Sequence, residues 1–199
     1  MKHLISLALA ILVATMTSSG AALAMDRIGS FVIFDPVPDA IMFDGVIDGA
    51  TMADFRRALA ARPDAEVIIL RSPGGRVDVA LKFAAELQRR GLSTAIPADF
   101  YCYSSCAYVF FAGREHVAKG ALGVHQIRSV SDGDASGAAT YWEEVRTEIE
   151  RYGIPEGVIA RMADTPSSGM YVFSRQEIAA LSINRSDGPS SRVAQVASQ

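Results

Sequence analysis

The sequence predicts an α/β domain with a largely parallel sheet flanked by helices, and three observations favour this class. Residues 67–70 form an unbroken apolar, β-branched run between turn residues, which is typical of a strand buried on both faces. Residues 77–90 follow with apolar positions at helical spacing and end at Gly91. Strand and helix patterns then alternate along the chain, and right-handed crossovers between such units build a parallel sheet.

The remaining elements follow from the same patterns. The predicted strands cover residues 31–34, 41–43, 67–70, 93–96 and 122–127. The predicted helices cover residues 77–90, 104–111, 141–152 and 155–162, and one more begins at a capping-box pattern over residues 51–54. Residues 129–139 are predicted to be a polar, Gly/Ser-rich loop.

The first 24 residues have the three-part layout of a secretory signal peptide. A basic start at Lys2 precedes the apolar residues 4–16, and Ala22-Leu23-Ala24 supplies the small-x-small end. Because the apolar run is shorter than the roughly 20 residues needed to span a bilayer, cleavage after Ala24 is favoured over an uncleaved membrane anchor. We therefore expect a periplasmic or secreted protein.

The mature chain has the size of one domain. We predict the domain over residues 25–185 and a flexible polar tail over residues 186–199. Loss of residues 1–24 removes Lys2 as the only charged side chain, so the formal charge changes from −3 to −4. Acidic and basic residues are interspersed with no basic run, which argues against a nucleic-acid partner.

The two cysteines of the sequence, Cys102 and Cys106, lie close together. In an oxidising compartment the pair can form a disulfide, and the alternative is two free thiols. No histidine or further cysteine accompanies them at ligand spacing, so we predict no metal site.

A glycine turn and a serine helix are the first candidate functional segments. Ser72-Pro73-Gly74-Gly75 joins a buried strand to a helix, where free backbone amides could stabilise an oxyanion, although such a sequence is more often only a turn. Ser104 and Ser105 open an apolar helix. Helix capping is the ordinary role of such hydroxyls, but the first-turn N–H groups also favour a negative charge there.

A histidine supplies the base that a serine nucleophile needs. His125 lies on an otherwise apolar predicted strand, whereas His116 stands beside Glu115 and is predicted to be solvated. A lone strand histidine is usually a packing residue. Its position after a helix-start serine and an upstream glycine turn favours catalysis instead.

These segments resemble, in the same order, the proteolytic subunit of the Clp protease within the wider ClpP/crotonase fold of repeated β-β-α units. The family's Ser-Pro-Gly-Gly turn matches Ser72 to Gly75, and its nucleophile helix ends in Ala-Gly as at Gly113. Counting back nine positions from Gly113 selects Ser104 as the nucleophile's equivalent. The family's His-Gln matches His125-Gln126.

Further motifs extend the resemblance over about residues 41–183. Residues 43–47 resemble the family's first strand and turn, and residues 173–182 its closing helix. The resemblance implies a Ser104–His125 site, with the Gly74 and Ser105 amides holding the oxyanion and Gly75 supporting the turn. Asp164, the only carboxylate in the equivalent stretch, is the candidate third residue, although it stands several residues earlier than in the family.

The leading hypothesis is an exported serine peptidase or acyl hydrolase that acts on peptides or proteins and needs no cofactor. An ATP-dependent unfoldase partner is not expected outside the cytoplasm, and the family's ring is not carried over, although a homo-oligomer is compatible with the sequence. The main alternative is a non-catalytic envelope scaffold or interaction protein that keeps the fold. A third hypothesis, acyl-thioester chemistry of the crotonase kind, explains the glycine turn but not the pairing of Ser104 with His125.

Overall fold

The computed structural model describes residues 25–127 and 135–198, so the predicted signal peptide lies outside the described residues. The described strands are β1 (Met25–Ile28), β2 (Phe31–Phe34), β3 (Ala40–Asp44), β4 (Val67–Arg71), β5 (Ser93–Ile96), β6 (Tyr101–Tyr103), β7 (His116–Ala118), β8 (Ala121–Val124) and β9 (Tyr171–Val172). The described helices are α1 (Thr51–Ala61), α2 (Val77–Arg90), α3 (Cys106–Phe111), α4 (Ala135–Glu150), α5 (Glu156–Asp164), α6 (Arg175–Ala180) and α7 (Arg192–Val196).

Two sheets organise these elements. The larger has the order β1-β2-β3-β4-β5-β7, and its β3-β4-β5-β7 part is parallel, whereas β1 and β2 add an antiparallel edge. The smaller has the order β6-β8-β9, with β6 and β8 parallel. The helices α1 and α2 make the crossovers into β4 and β5. The predicted α/β class with a largely parallel sheet is confirmed.

The main sheet is buried on both faces, which explains the unbroken apolar run of β4. Ile68 and Leu70 pack into the large core with the helices α1 and α2, where four aromatic rings meet in edge-to-face, tilted and stacked contacts. Val67 and Ile69 point to the opposite face and pack in a second cluster with Val193 and Val196. The four rings are those of Phe31, Phe43, Phe55 and Phe83.

The second cluster explains why the C terminus differs from the flexible tail that the sequence predicts. Residues 186–199 are predicted to be a flexible tail, but they include α7, whose Val193 and Val196 are fully buried. The Arg192 guanidinium also pairs with the Asp39 carboxylate across the sheet. The tail is ordered because the outer face of β4 needs an apolar cover, which short-range patterns do not reveal.

The predicted starts of helices agree less well with the structure than the predicted buried strands and helices do. The helix α2 has the predicted bounds, and Gly91 caps it with φ 66°. The predicted capping box at residues 51–54 is wrong: the Thr51 hydroxyl accepts from the Asp48 N–H, and no side chain caps α1. The helix α4 begins at Ala135, inside the predicted loop, and residues 128–134 of that region lie outside the described residues.

His116 is buried rather than solvated, so that prediction is wrong. Its ring is 3% exposed, makes edge contacts with the Phe110 and Phe111 rings, and places Nδ1 3.2 Å from the Gly113 carbonyl oxygen. Burial lowers the pKa of His116 to about 4. The side chain is therefore a neutral packing residue of β7, which its charged sequence neighbour Glu115 concealed.

Across residues 25–127 and 135–198, no helix is both long enough and apolar enough to cross a membrane.

Candidate active site at Ser104

Ser104 occupies a sharp turn between a strand and a helix. It follows the last residue of β6 and has φ 58°, in the left-handed region that residues with a side chain rarely adopt. Such a conformation costs on the order of 1–3 kcal/mol and persists where the surroundings enforce it, often at functional sites. The turn presents a serine between a strand and a helix, in the manner of a nucleophile elbow.

Neither serine hydroxyl at this turn caps the helix. The helix α3 begins at Cys106, two residues later than predicted, and its N-cap residue Ser105 makes no side-chain capping bond. The Ser105 hydroxyl instead donates to the Gly75 carbonyl oxygen at 3.1 Å. Within the described part of the chain, the Ser104 hydroxyl has no protein hydrogen-bond partner. Capping therefore does not account for either hydroxyl.

A disulfide brackets Ser104, which confirms the predicted pairing. It joins Cys102 on β6 to Cys106 at the start of α3, with the Cα atoms 5.3 Å apart. Both cysteines are fully buried. The link closes the strand-to-helix turn from its inner side and restrains the backbone on either side of Ser104.

The glycine turn packs directly against Ser104. A Cβ atom on Gly74 (φ 93°) would lie 2.8 Å from the Ser104 Cβ, and one on Gly75 would lie 2.1 Å from the Ile47 carbonyl oxygen. Both positions therefore require glycine. The two glycine amides differ in what they bind. The Gly74 N–H donates to the Ser72 hydroxyl at 3.1 Å, whereas the Gly75 and Ser105 N–H groups have no acceptor among the described residues.

His125 lies one residue beyond the end of β8, slightly outside the regular strand that the sequence predicts. The Ser104 N–H donates to the Gly123 carbonyl at 2.9 Å, so the two segments run side by side. Ser104 and His125 line one cleft of about 650 Å³, together with Gly75, Arg76 and Tyr108. No direct hydrogen bond between Ser104 and His125 is present among the described contacts.

The orientation of His125 comes from the next residue. The imidazole Nδ1 lies 2.6 Å from the Gln126 carbonyl oxygen. Gln126 is itself held at two points: its N–H donates to the Thr165 carbonyl at 2.8 Å, and its side-chain Nε2 donates to the Ala163 carbonyl at 2.6 Å. The end of α5 therefore fixes the segment that carries His125.

Asp164 lies between Ala163 and Thr165 in the chain, but its carboxylate does not reach His125. The residue is exposed, does not line the cleft, and makes no hydrogen bond or ion pair with His125 within the described structure. The segment around Asp164 is thus tied to the site through the Ala163 and Thr165 carbonyls, and its carboxylate makes no contact with His125 among the described residues.

Charged and phenolic side chains that the sequence analysis did not select also line the cleft. Arg76 and Asp78 form a pair with Nε–Oδ1 and Nη2–Oδ2 distances of 3.0 and 2.8 Å, and this bond to Arg76 holds the pKa of Asp78 below its usual value. Tyr108 and Tyr141 contribute rings. Arg76 and Asp78 directly follow the glycine turn, and that position was the signal that could have identified them.

Other catalytic chemistries find less support in this cleft. The described lysines, Lys82 and Lys119, do not line it, which leaves His125 as the candidate general base beside Ser104 among the described residues. Among the described residues, no three His, Cys, Asp or Glu side chains cluster as metal ligands would.

Comparisons with known proteins define the fold. No protein-family model and no curated protein sequence matches the chain. Among solved structures, it is similar to a serine-to-alanine mutant of the 1510-N membrane-bound stomatin-specific protease, with 18% identity, a TM-score of 0.54, and coverage of 73% of this chain and 75% of that chain. A lysine-to-alanine mutant of that protease, in complex with a substrate peptide, gives 17% identity, a TM-score of 0.51, and coverage of 73% and 71%.

These likenesses show that the chain has a ClpP-like fold. They support the wider fold rather than the Clp protease proteolytic subunit in particular.

Proposed function

We propose that this protein is a serine peptidase or related acyl hydrolase in which Ser104 is the nucleophile and His125 the general base. One observation carries the proposal: Ser104 is held in a strained strand-to-helix turn, with its hydroxyl uncapped and in the same cleft as His125. A strained backbone that aims a free hydroxyl at a cleft has no evident structural benefit.

The protonation of His125 suits this role. A carbonyl oxygen only accepts hydrogen bonds, so the contact with Gln126 requires the proton to be on Nδ1. In the neutral imidazole, which is the form that acts as the base, Nε2 then has a free lone pair and can accept the Ser104 hydroxyl proton as the oxygen attacks a substrate carbonyl. His125 subsequently returns that proton to the leaving group.

In this proposal the Gly75 and Ser105 N–H groups bind the oxyanion that forms on the substrate carbonyl. This differs from the sequence-based expectation, because the Gly74 N–H is already bonded to the Ser72 hydroxyl. The Gly75 residue lines the cleft, and the Ser105 N–H belongs to the residue after the nucleophile. Each such donor typically contributes about 2.7–4 kcal/mol of transition-state stabilisation.

In this proposal the Gln126 backbone carbonyl replaces the carboxylate of a triad. It selects the productive tautomer, which is the main function of the acid in the serine–histidine–aspartate arrangement. It carries no formal charge, however, and so stabilises the imidazolium less than a carboxylate does. We expect a slower enzyme than one with a complete triad.

The substrates we propose are peptides or protein segments in the cell envelope. A similar fold has been solved in complex with a substrate peptide, which supports a peptide as ligand. Export after Ala24 is expected from the sequence, and N-terminal sequencing of envelope material should give a mature start at Met25. In that compartment an ATP-driven unfoldase is not expected, and homo-oligomers are compatible with the proposal.

A fluorophosphonate probe tests the assignment. Purified mature protein should be labelled, and peptide mapping should place the label on Ser104. Ser104→Ala should abolish labelling and hydrolysis, and His125→Ala should be nearly as damaging, because the two residues act as one unit. Absence of labelling in the folded wild-type protein would contradict the proposal.

A non-catalytic scaffold is the second candidate, and one observation favours it: the described contacts include no hydrogen bond between Ser104 and His125. In catalytic pairs this bond often tightens only with substrate bound, which is why we rank the enzyme first. The scaffold predicts no labelling, and a Ser104→Ala effect confined to stability.

A further inference from the structure

A second cavity, separate from the Ser104 cleft, is lined by three arginines. Its volume is about 580 Å³, and it shares no lining residue with the cleft. The arginines are Arg89, Arg114 and Arg185, and Gln88 adds a side-chain amide. They come from three segments: the last turn of α2, the turn between α3 and β7, and the chain after α6. In a protein whose formal net charge is −3, distant segments thus bring positive charges to one concave surface.

Arg185 is held in place through both its backbone and its side chain. Its backbone forms an antiparallel bridge with His116 of β7, with N–O distances of 2.8 and 2.9 Å. Its guanidinium donates from Nη2 to the Gly113 carbonyl at 2.9 Å and from Nε to the Arg114 carbonyl at 3.1 Å. These carbonyls orient the guanidinium but carry no formal charge, so they do not neutralise it. Because the cation is pre-organised, a ligand that binds it loses little side-chain entropy.

One carboxylate serves two arginines at the end of α2. Glu86 accepts two hydrogen bonds from Arg89, at 2.6 and 2.8 Å, and one from Arg90 at 2.6 Å. A single negative charge cannot neutralise two guanidiniums. The α2 side of the cavity therefore keeps a net positive charge in spite of this pairing.

The other two arginines contact no carboxylate among the described residues. The Arg114 guanidinium donates no hydrogen bond there, and that of Arg185 donates to the two carbonyls. The acidic residue next to Arg114 is Glu115, which is buried and accepts from the Asp187 N–H. All residues that line the cavity lie within residues 25–127 and 135–198. The described groups leave the cavity positive, which favours an anionic ligand.

We propose that this cavity binds a phosphate-type oxyanion, either free or as the exposed group of an anionic lipid. A carboxylate has two oxygens in one plane, which a single guanidinium satisfies. Guanidiniums that reach one cavity from three segments suit a tetrahedral group instead, because its oxygens accept from several directions. The volume is in the range of small-molecule sites, so a phosphate fits with part of the molecule that carries it. The site does not depend on the proposed chemistry at Ser104.

The experiment offers the purified mature protein two anionic probes in chloride buffer. Inorganic phosphate is titrated in a calorimeter, and vesicles of phosphatidylglycerol and phosphatidylcholine are tested by co-sedimentation, with pure phosphatidylcholine vesicles as the neutral reference. Wild type should bind at least one anionic probe. Phosphate that binds and also releases the protein from vesicles would identify the phosphate group itself as the ligand. Binding to the anionic vesicles alone would identify the lipid headgroup.

Arg114→Gln is the informative variant. It should weaken the observed binding about tenfold, because a hydrogen bond to a charged partner is lost. Its melting temperature should stay near that of wild type, since the Arg114 guanidinium bonds to no described residue. Arg185→Gln should weaken binding at least as much, but it also removes two bonds to carbonyl groups and can therefore affect stability.

Arg56→Gln is the matched control. Arg56 is exposed on α1 outside the cavity, and its substitution removes the same charge. This variant should keep wild-type binding. An equal loss in Arg56→Gln and Arg114→Gln would mean that only net charge matters, and would overturn the inference. Wild-type binding by Arg114→Gln, or no binding of either anionic probe, would overturn it as well. Labelling of Ser104 tests the proposed function separately and should be unchanged in both variants.

Discussion

The Nδ1 nitrogen of His125 lies 2.6 Å from the carbonyl oxygen of Gln126, the next residue along the chain. The contact fixes the ring and its tautomer without a carboxylate. It also explains how a histidine could be oriented for base catalysis although the exposed Asp164 makes no hydrogen bond or ion pair with it among the described residues. The orienting group is supplied by the backbone, and its position depends on the bonds that tie Gln126 to the end of α5.

The first prediction compares Gln126→Ala with Asp164→Ala. Loss of the Gln126 side chain removes the bond to the Ala163 carbonyl and should loosen the segment that holds His125, lowering kcat about tenfold. Asp164→Ala, at the end of α5, should change kcat/KM less than about threefold, because its carboxylate does not contact His125. If Asp164→Ala instead lost as much activity as His125→Ala, the carboxylate would be the orienting group.

The second prediction separates the strain at Ser104 from its chemistry. Ser104→Gly and Ser104→Ala both remove the hydroxyl, but only glycine adopts φ 58° without a Cβ penalty. Ser104→Gly should therefore be more stable than Ser104→Ala by about 1 kcal/mol in urea unfolding, with both variants inactive. Equal stabilities would mean that the turn is not strained by its side chain.

The sequence is informative where one local pattern decides the structure. The strand at residues 67–70 and the helix over residues 77–90 are predictable because burial on both faces and a Gly91 stop leave few alternatives. The Cys102–Cys106 disulfide was one of two alternatives that the spacing allowed, and the structure contains it. The order of the glycine turn, Ser104 and His125 along the chain predicts that they share one site. Ser104 and His125 do line one cleft.

Contacts between distant segments set the remaining features. The Ser72 hydroxyl accepts a hydrogen bond from the Gly74 N–H rather than from the Gly75 N–H. This contact decides which glycine amide remains free. The burial of His116 depends on its contacts with the Phe110 and Phe111 rings, which its charged neighbours in sequence do not indicate. Asp164 stands at the end of α5. Its position in the sequence does not reveal that its carboxylate makes no contact with His125.

The third prediction concerns the glycine turn. A methyl group at Gly75 would meet the Ile47 carbonyl at 2.1 Å, so Gly75→Ala must displace the segment beside the proposed oxyanion site. It should destabilise the protein by more than about 2 kcal/mol and reduce probe labelling at least about tenfold. Gly91→Ala is the control: φ is also positive, at 66°, but no atom lies within 4 Å of the added carbon. That variant should lose only about 1 kcal/mol and keep wild-type labelling.

The fourth prediction concerns the disulfide that brackets Ser104. Unreduced, denatured protein should show no free thiol, and reduced, denatured protein should show two. Replacing both cysteines with alanine should lower the free energy of unfolding by about 2 kcal/mol, because the closed loop is very short. The labelling rate of Ser104 should fall as well, since the turn is no longer restrained on both sides. Labelling at the wild-type rate in the double variant would show that the disulfide contributes to stability alone.

The last prediction concerns stability in mild acid. Burial lowers the pKa of His116 to about 4, whereas an unfolded histidine titrates near 6.5. Between these values the unfolded chain binds the additional proton, so stability is full above about pH 6.5 and falls as the pH drops towards 4. The loss between pH 7 and pH 5 should be about 2 kcal/mol in urea unfolding. His116→Asn places a neutral donor near the Gly113 carbonyl and cannot titrate, so it should remove most of that difference. Wild type and His116→Asn with the same pH dependence would show that another group titrates in this range.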